Sequence, residues 1–118
     1  PLPVRGLSFH PQFNMLAAVA EDGTCRVWNL SRRTLVNSRK QGTSKVLTVA
    51  FGPKGRFMAT GDGAGRVNVW HVSAKKSPLV FSPKLGGAVQ SVAFSRDGTK
   101  LAAACADKTI TVWKIIRR

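Results

Sequence analysis

Apolar and polar residues alternate along this chain in short runs, and no run sustains the three-to-four-residue apolar spacing of an amphipathic helix. The last run is the clearest: Ile110 and Val112 fall on one side, Thr111 and Trp113 on the other. Turn chemistry punctuates the runs. Ser95-Arg96-Asp97-Gly98 and Gly52-Pro53-Lys54-Gly55 each separate two apolar stretches. The pattern predicts strands over 4–9, 15–19, 25–29 and near 34–37, then over 46–51, 57–61, 67–71 and near 79–81, and finally over 89–94, 100–105 and 109–115. The alanine-rich segments 16–20 and 101–106 have helix propensity. They are short, sit at corresponding places and are bounded by turns, so they too are predicted as strands.

The correspondence runs through the whole chain. A valine is followed five residues later by a phenylalanine, and a tryptophan closes the unit 19 residues after that: Val4–Phe9–Trp28, Val46–Phe51–Trp70 and Val89–Phe94–Trp113. The period is 42 residues, then 43. Such regularity marks an array of supersecondary units, and a period in the low forties is the length of one four-stranded propeller blade. The fold class is therefore expected to be all-β, with functional surface on the array rather than in a single deep site.

Phe94-Ser95-Arg96-Asp97-Gly98, then Leu101-Ala102-Ala103-Ala104, then Asp107 to Trp113 resembles one repeat of the WD-repeat (WD40) β-propeller family, and the pattern recurs at Phe51–Trp70 and Phe9–Trp28. The resemblance implies a four-stranded antiparallel blade per repeat and a rigid, non-catalytic platform for protein binding. Blades are expected at about 4–40, 46–83 and 89–118, forming one partial propeller over 1–118. Three blades cannot close a ring, and the third copy reaches Arg118 without a fourth strand. Propellers of this family close by borrowing that strand from the other end of the chain, and residues 1–3 are too few to supply it. The chain is expected to be the closing part of a longer propeller or a fragment of one, with the remaining blades from the same parent chain or another. A dimer of three-blade chains is the alternative. The absence of an initiator methionine fits a piece of something longer.

The match has gaps. The family's Gly-His dipeptide is missing in all three copies. Its tight-turn aspartate is matched by Asp22 and Asp107, but that slot is Ala64 in the second copy, with Asp62 two residues earlier. The aspartate after the tryptophan is replaced by Asn29, His71 and Lys114. The buried network linking aspartate, histidine, hydroxyl and tryptophan is thus expected to be incomplete, which lowers the expected rigidity of each blade.

Charge adds a second theme. With 19 Lys and Arg against five Asp and Glu, the formal net charge is +14 in 118 residues. A field of that size favours anionic partners, RNA or acidic protein segments, and says nothing about fold. The cations recur with the repeat. A basic pair follows each tryptophan-bearing strand (Arg32 and Arg33, Lys75 and Lys76, Arg117 and Arg118), and the turns between first and second strands add Lys54, Arg56, Arg96 and Lys100. In an up-and-down blade these two turn types share one face, so these ten residues form a candidate polyanion-binding face. The opposite face would hold Glu21, Asp22, Asp62 and Asp107, with Arg39, Lys40, Lys45 and Lys84 in connections between blades. A solvated rim with coincidental repetition is the competing reading.

Other chemistry is thin. Gly61-Asp62-Gly63-Ala64-Gly65 has the look of a phosphate loop, but a strand follows it where a helix N-terminus is required, so it reads as a hairpin turn. Gly52 and Gly55 likewise join strands, not the helices of an RNA-binding clamp. His10 and His71 lack partners at metal spacing, no nucleophile has a visible base, and no cofactor or catalytic site is expected. The tryptophans, at one shared repeat position, read as core or inter-blade contacts in preference to base-stacking platforms. Cys25 and Cys105 lie in different repeats, Cys25 at the inward slot of Val67 and Ile110, and read as buried free thiols. That favours a reducing compartment, cytoplasm or nucleus. No apolar run reaches the length of a membrane span, and no secretory leader is visible. The expected function is a non-catalytic scaffold docking partner proteins in a multi-subunit assembly; the alternative is a subunit of a ribonucleoprotein that contacts RNA or another polyanion through the basic face.

Overall fold

The computed structural model describes residues 3–40, 42–72 and 79–115. They form β1 (Val4–Phe9), β2 (Met15–Ala20), β3 (Thr24–Asn29), β4 (Thr34–Lys40), β5 (Val46–Phe51), β6 (Phe57–Asp62), β7 (Val67–His71), β8 (Leu79–Phe81), β9 (Val89–Phe94), β10 (Lys100–Cys105) and β11 (Ile110–Lys114). Three antiparallel meanders result: β1-β2-β3-β4, β5-β6-β7-β8 and β9-β10-β11. The alanine-rich segments are strands, as expected: β2 and β10 are the second strands of their sheets, paired on both edges. The one substantial difference in extent is β4. It continues to Lys40 because it pairs with the whole of β3, from Asn29↔Thr34 to Thr24↔Lys40, across a bulge at Val27/Trp28. Arg39 and Lys40 are therefore strand residues, not part of a connection.

The sheets stack face to face. Ala17, Val19, Cys25 and Val27 of the first sheet pack against Val46, Val49 and Met58 of the second. The second sheet's other face, with Ala59, Val67 and Val69, packs against Val89, Val92, Leu101 and Ala103 of the third. Burial follows from position in the stack. In β10, at the end, buried and half-exposed residues alternate, whereas β6, in the middle, is buried at five consecutive positions because it has a neighbour on each side.

The sequence repeat has a specific meaning in this stack. Cross-strand pairing sets Phe51 beside Met58 and Met58 beside Trp70, and this row presses on the first sheet. Phe94, Leu101 and Trp113 form the same row, pressing on the second. The first sheet's row is Phe9, Leu16 and Trp28, and among the described residues no sheet covers it. Phe9 is 70% exposed and Trp28 37%. Trp70 and Trp113 are packed between sheets, whereas Trp28 lies on the outer face of the first sheet, where a stack of three gives it no neighbour. The far face of the third sheet is bare as well, with Ile110 75% and Val112 58% exposed.

The sheets fan. Their first strands are closely apposed, and a Cβ at Gly6 would sit 3.3 Å from the Thr48 Cα. Side-chain hydroxyls accept from the neighbouring first strand: Phe51 N donates to Ser8 Oγ at 3.1 Å and Val92 N to Thr48 Oγ1 at 3.3 Å. The outer strands spread apart. Part of the network expected to be incomplete is present in the second sheet, where Trp70 Nε1 donates to Thr60 Oγ1 at 3.3 Å. Ala18 and Ala103 stand at the corresponding positions of the other two sheets.

Two close approaches fix the stacking. Gly61 lies flat against Val89, where a Cβ would overlap the valine side chain. His10, in the turn after β1, is buried against Gly55 in the turn after β5, and its ring meets Phe51 edge-on at 5.0 Å. His10 Nδ1 accepts from Gln12 N at 3.1 Å and Phe13 N at 3.0 Å. Burial depresses the His10 pKa, with a hydrogen bond to the Gly55 backbone partly opposing the shift.

Two predictions follow from these contacts. Gly61→Ala should cost about 1–3 kcal/mol by overpacking, whereas Gly63→Ala, whose Cβ would meet nothing closer than 3.7 Å, should change stability by less than about 0.5 kcal/mol; urea midpoints of the two variants test this. Because the folded state disfavours protonated His10, the unfolded chain takes up the proton more readily, and stability should fall as pH drops through about 6.5. Denaturation midpoints measured between about pH 7.5 and about pH 5.5 should show that fall, and His10→Gln should flatten it.

Candidate polyanion interface and an inter-sheet groove

In an antiparallel meander the first and third turns lie at the same end of the sheet. Backbone contacts establish this in each copy. Leu30 N donates to Asn14 O at 2.9 Å, Val72 N to Arg56 O at 2.8 Å and Ile115 N to Thr99 O at 2.6 Å. Arg32, Arg33, Lys54, Arg56, Arg96 and Lys100 are all exposed at this end. Arg33 takes a left-handed φ of 56° to close its turn. Lys114 joins them as the cross-strand partner of Lys100 and is exposed too. Sequence reasoning read Lys114 only as the replacement for the family's aspartate after Trp113, and the pairing with Lys100 is what places it at this end. Lys75, Lys76, Arg117 and Arg118 lie outside the described residues.

The acidic residues do little to neutralise this end. Among the described residues the ion pairs are Arg5–Glu21, Arg26–Asp22 at 3.1 Å and Lys45–Glu21 at 3.6 Å, all at the opposite end. Asp97 is the one carboxylate beside the basic turns, and it is engaged locally. Thr99 N donates to it at 3.0 Å, Thr99 Oγ1 at 2.7 Å and Ser95 Oγ at 2.8 Å. Those bonds, the Thr99 backbone first, hold its pKa at about 2. At the far end Asp22 is held at about 2 by the Thr24 hydroxyl and then by Arg26, and Asp107 is lowered chiefly by the Thr109 hydroxyl. Asp62, two residues before the family slot, caps its own turn by accepting from Ala64 N at 3.0 Å and Arg66 N at 2.9 Å. The glycine-rich segment 61–65 is thus a strand end and a hairpin turn, with Gly65 at φ 98°.

Fanning of the sheets opens a groove of about 450 Å³ between the first and second sheets. Val27, Val36, Met58 and Trp70 line it, and Arg39, Lys54 and Arg56 stand around them. Arg39 reaches from β4 across the opening to lie 5.7 Å from the centre of the Trp70 ring. The corresponding gap between the second and third sheets is about 210 Å³. There the Phe81 ring meets Trp113 edge-on at 5.8 Å.

The thiols offer no redox chemistry at the surface. Cys25 and Cys105 are free and buried, and desolvation pushes the Cys25 pKa up to about 12, which keeps it protonated and unreactive. Among the described residues no three His, Cys, Asp or Glu side chains gather as metal ligands, and no helix is long and apolar enough to cross a membrane.

Comparison with known proteins agrees with this architecture. The family described as Anaphase-promoting complex subunit 4 WD40 domain matches residues 7–82, and the family described as WD domain, G-beta repeat matches residues 77–114. The chain is 25% identical to Transcription initiation factor TFIID subunit 5 of Caenorhabditis elegans, over 92% of this chain and 17% of that protein. It is 27% identical to Striatin-4 of Mus musculus, over 93% of this chain and 17% of the relative. It is 28% identical to U3 small nucleolar RNA-associated protein 7 of Saccharomyces cerevisiae, over 97% and 20%. The chain thus spans a fifth or less of the length of these relatives. With one WD40 match reaching across the first two sheets and another across the third, the chain belongs to the WD40-repeat family.

Proposed function

We propose that this chain is part of a non-catalytic scaffold that docks partner proteins in a multi-subunit assembly, with its bare outer sheet faces covered by further blades of the same kind. The observation that carries the reading is the stack itself. Three sheets are locked by interdigitated apolar faces, and the described hairpin turns carry short-range hydrogen bonds, which leaves the ends of the sheets as rigid display surfaces. Two relatives are named as components of larger systems, one a transcription-factor subunit and one an RNA-associated protein. Such a scaffold acts in the cytoplasm or nucleus, where its two buried thiols stay reduced.

A second reading, contact with RNA through the basic end, is favoured by one specific feature. Seven exposed cations (Arg32, Arg33, Lys54, Arg56, Arg96, Lys100 and Lys114) share that end with a single carboxylate already engaged in its own turn. Contacts there would be mainly to phosphates, with little sequence preference.

Salt separates the two readings. For RNA contact, replacing Arg32, Arg33, Lys54 and Arg96 by Glu should weaken binding of a generic single-stranded RNA strongly. It should also reduce the slope of log K against log salt by about 3, near 0.7 for each lost phosphate contact. No change at low salt removes the polyanion reading. A stoichiometric protein complex of the intact protein that survives high salt supports the scaffold; its absence from every purified assembly, with RNA binding intact, overturns it.

A further inference from the structure

Asn37 and Phe81 occupy the same place in successive sheets. Asn37 pairs with Val27 across β3 and β4, and Phe81 pairs with Val69 across β7 and β8. Val27 and Val69 are themselves one repeat apart. Phe81 uses its position to set a phenyl ring edge-on against Trp113 of the next sheet. Asn37 has no ring to offer Trp70, and the groove there is about 450 Å³ where the one beside Phe81 is about 210 Å³. The larger groove is thus a site from which one aromatic side chain of the repeat is missing. Its floor is apolar and its surroundings are cationic: Arg39 lies over Trp70, Lys54 and Arg56 stand on the adjoining turn, and no carboxylate of the described residues lines it.

We propose that this groove receives an aromatic side chain from an acidic segment of a partner protein. The ring takes against Trp70 the edge-on place that Phe81 takes against Trp113, an arrangement aromatic pairs favour. The segment's carboxylates meet Arg39, Lys54 and Arg56, which a chain of net charge +14 cannot neutralise from its own five acids. The fold itself supplies the precedent, a half-exposed phenyl ring set edge-on against the tryptophan of the next sheet at the mouth of the gap, and this selects a peptide side chain over a nucleobase, which would need an open planar surface for stacking. The inference deepens the scaffold reading by naming one docking site and its partner's chemistry. It does not depend on the basic end as a whole.

The test uses the intact protein and a short, capped, fluorescein-labelled peptide with one phenylalanine among glutamates, with affinity read by anisotropy at about physiological salt. Replacing the peptide's phenylalanine by alanine should weaken binding about tenfold or more, as should Asn37→Phe, which fills the groove from within, and Arg39→Glu. Lys84→Glu removes equal charge away from the groove and should leave affinity within about twofold. The thermal midpoint of Asn37→Phe checks its folding; the peptide substitution and Arg39→Glu carry the test should that variant misfold. Equal binding of the phenylalanine and alanine peptides overturns the proposal, as does full affinity in Asn37→Phe, an equal loss in Lys84→Glu, or displacement of the peptide by generic RNA at concentrations to which the groove variants are indifferent. If the peptide fails in these ways while a salt-resistant complex still forms, the scaffold reading stands and the groove is not its docking site.

Discussion

A sheet with two apolar faces cannot be stable alone; it needs a neighbour on each side. The packing and the exposure of the sheet faces in this chain follow from that requirement. Each repeat presents a row of bulky side chains (Phe51, Met58 and Trp70, or Phe94, Leu101 and Trp113) to the small and branched residues of the sheet before it. Large against small across the interface lets the layers interlock near their inner strands, while the fan leaves gaps between the outer ones. The same requirement explains where the chain is exposed. Phe9 and Trp28 at one end of the stack, Ile110 and Val112 at the other, carry the repeat's apolar character with nothing to cover it. Complementarity is built in, since the bare row at one end is of the kind that the far end's face of small and branched residues accepts.

Stacking also dictates what the surface can do. Side chains within the sheets are committed to neighbours, so the free chemistry sits in turns and at strand ends. Because each meander alternates its turns between two ends, a cation placed in one turn type in every repeat accumulates on one end. The carboxylates are drawn into local turn closure: Asp22, Asp97 and Asp107 each accept from a threonine two residues later. Their depressed pKa values reflect that use. The strong positive field is the result of acids engaged for structure and bases left over, which suits recognition of anionic partners without requiring any particular one.

The sheets are close at their first strands and open at their fourth. That geometry converts a single residue difference into a recognition feature. Where the outer strand carries Phe81, its ring meets the next tryptophan and the gap between sheets is narrower; where it carries Asn37, the gap is wider, with Trp70 at its base and Arg39 across it. The proposed docking site is thus the place where one sheet lacks a contact that the next sheet makes.

The strands, their approximate limits and their grouping into three units were legible in the residue pattern, because period-two alternation, turn residues and a fixed 42–43 residue spacing are local properties of a chain. So was the placing of Arg32, Lys54 and Arg96 at one end, which needs only the alternation of an antiparallel meander. Three things were not. The burial of Trp28 depends on a neighbouring sheet, and no pattern within the repeat says whether one is present. The role of His10 as a link between two turns depends on Gly55, 45 positions away, lacking a side chain. The groove beside Trp70 was hidden because its defining comparison is out of step in sequence: Asn37 lies 33 residues after Val4, Phe81 35 residues after Val46. Loops of different length shift the numbering, and only strand pairing restores the equivalence. Local chemistry thus determined the units and their ends; contacts between units, which join residues far apart in the chain, were decided by the tertiary structure alone.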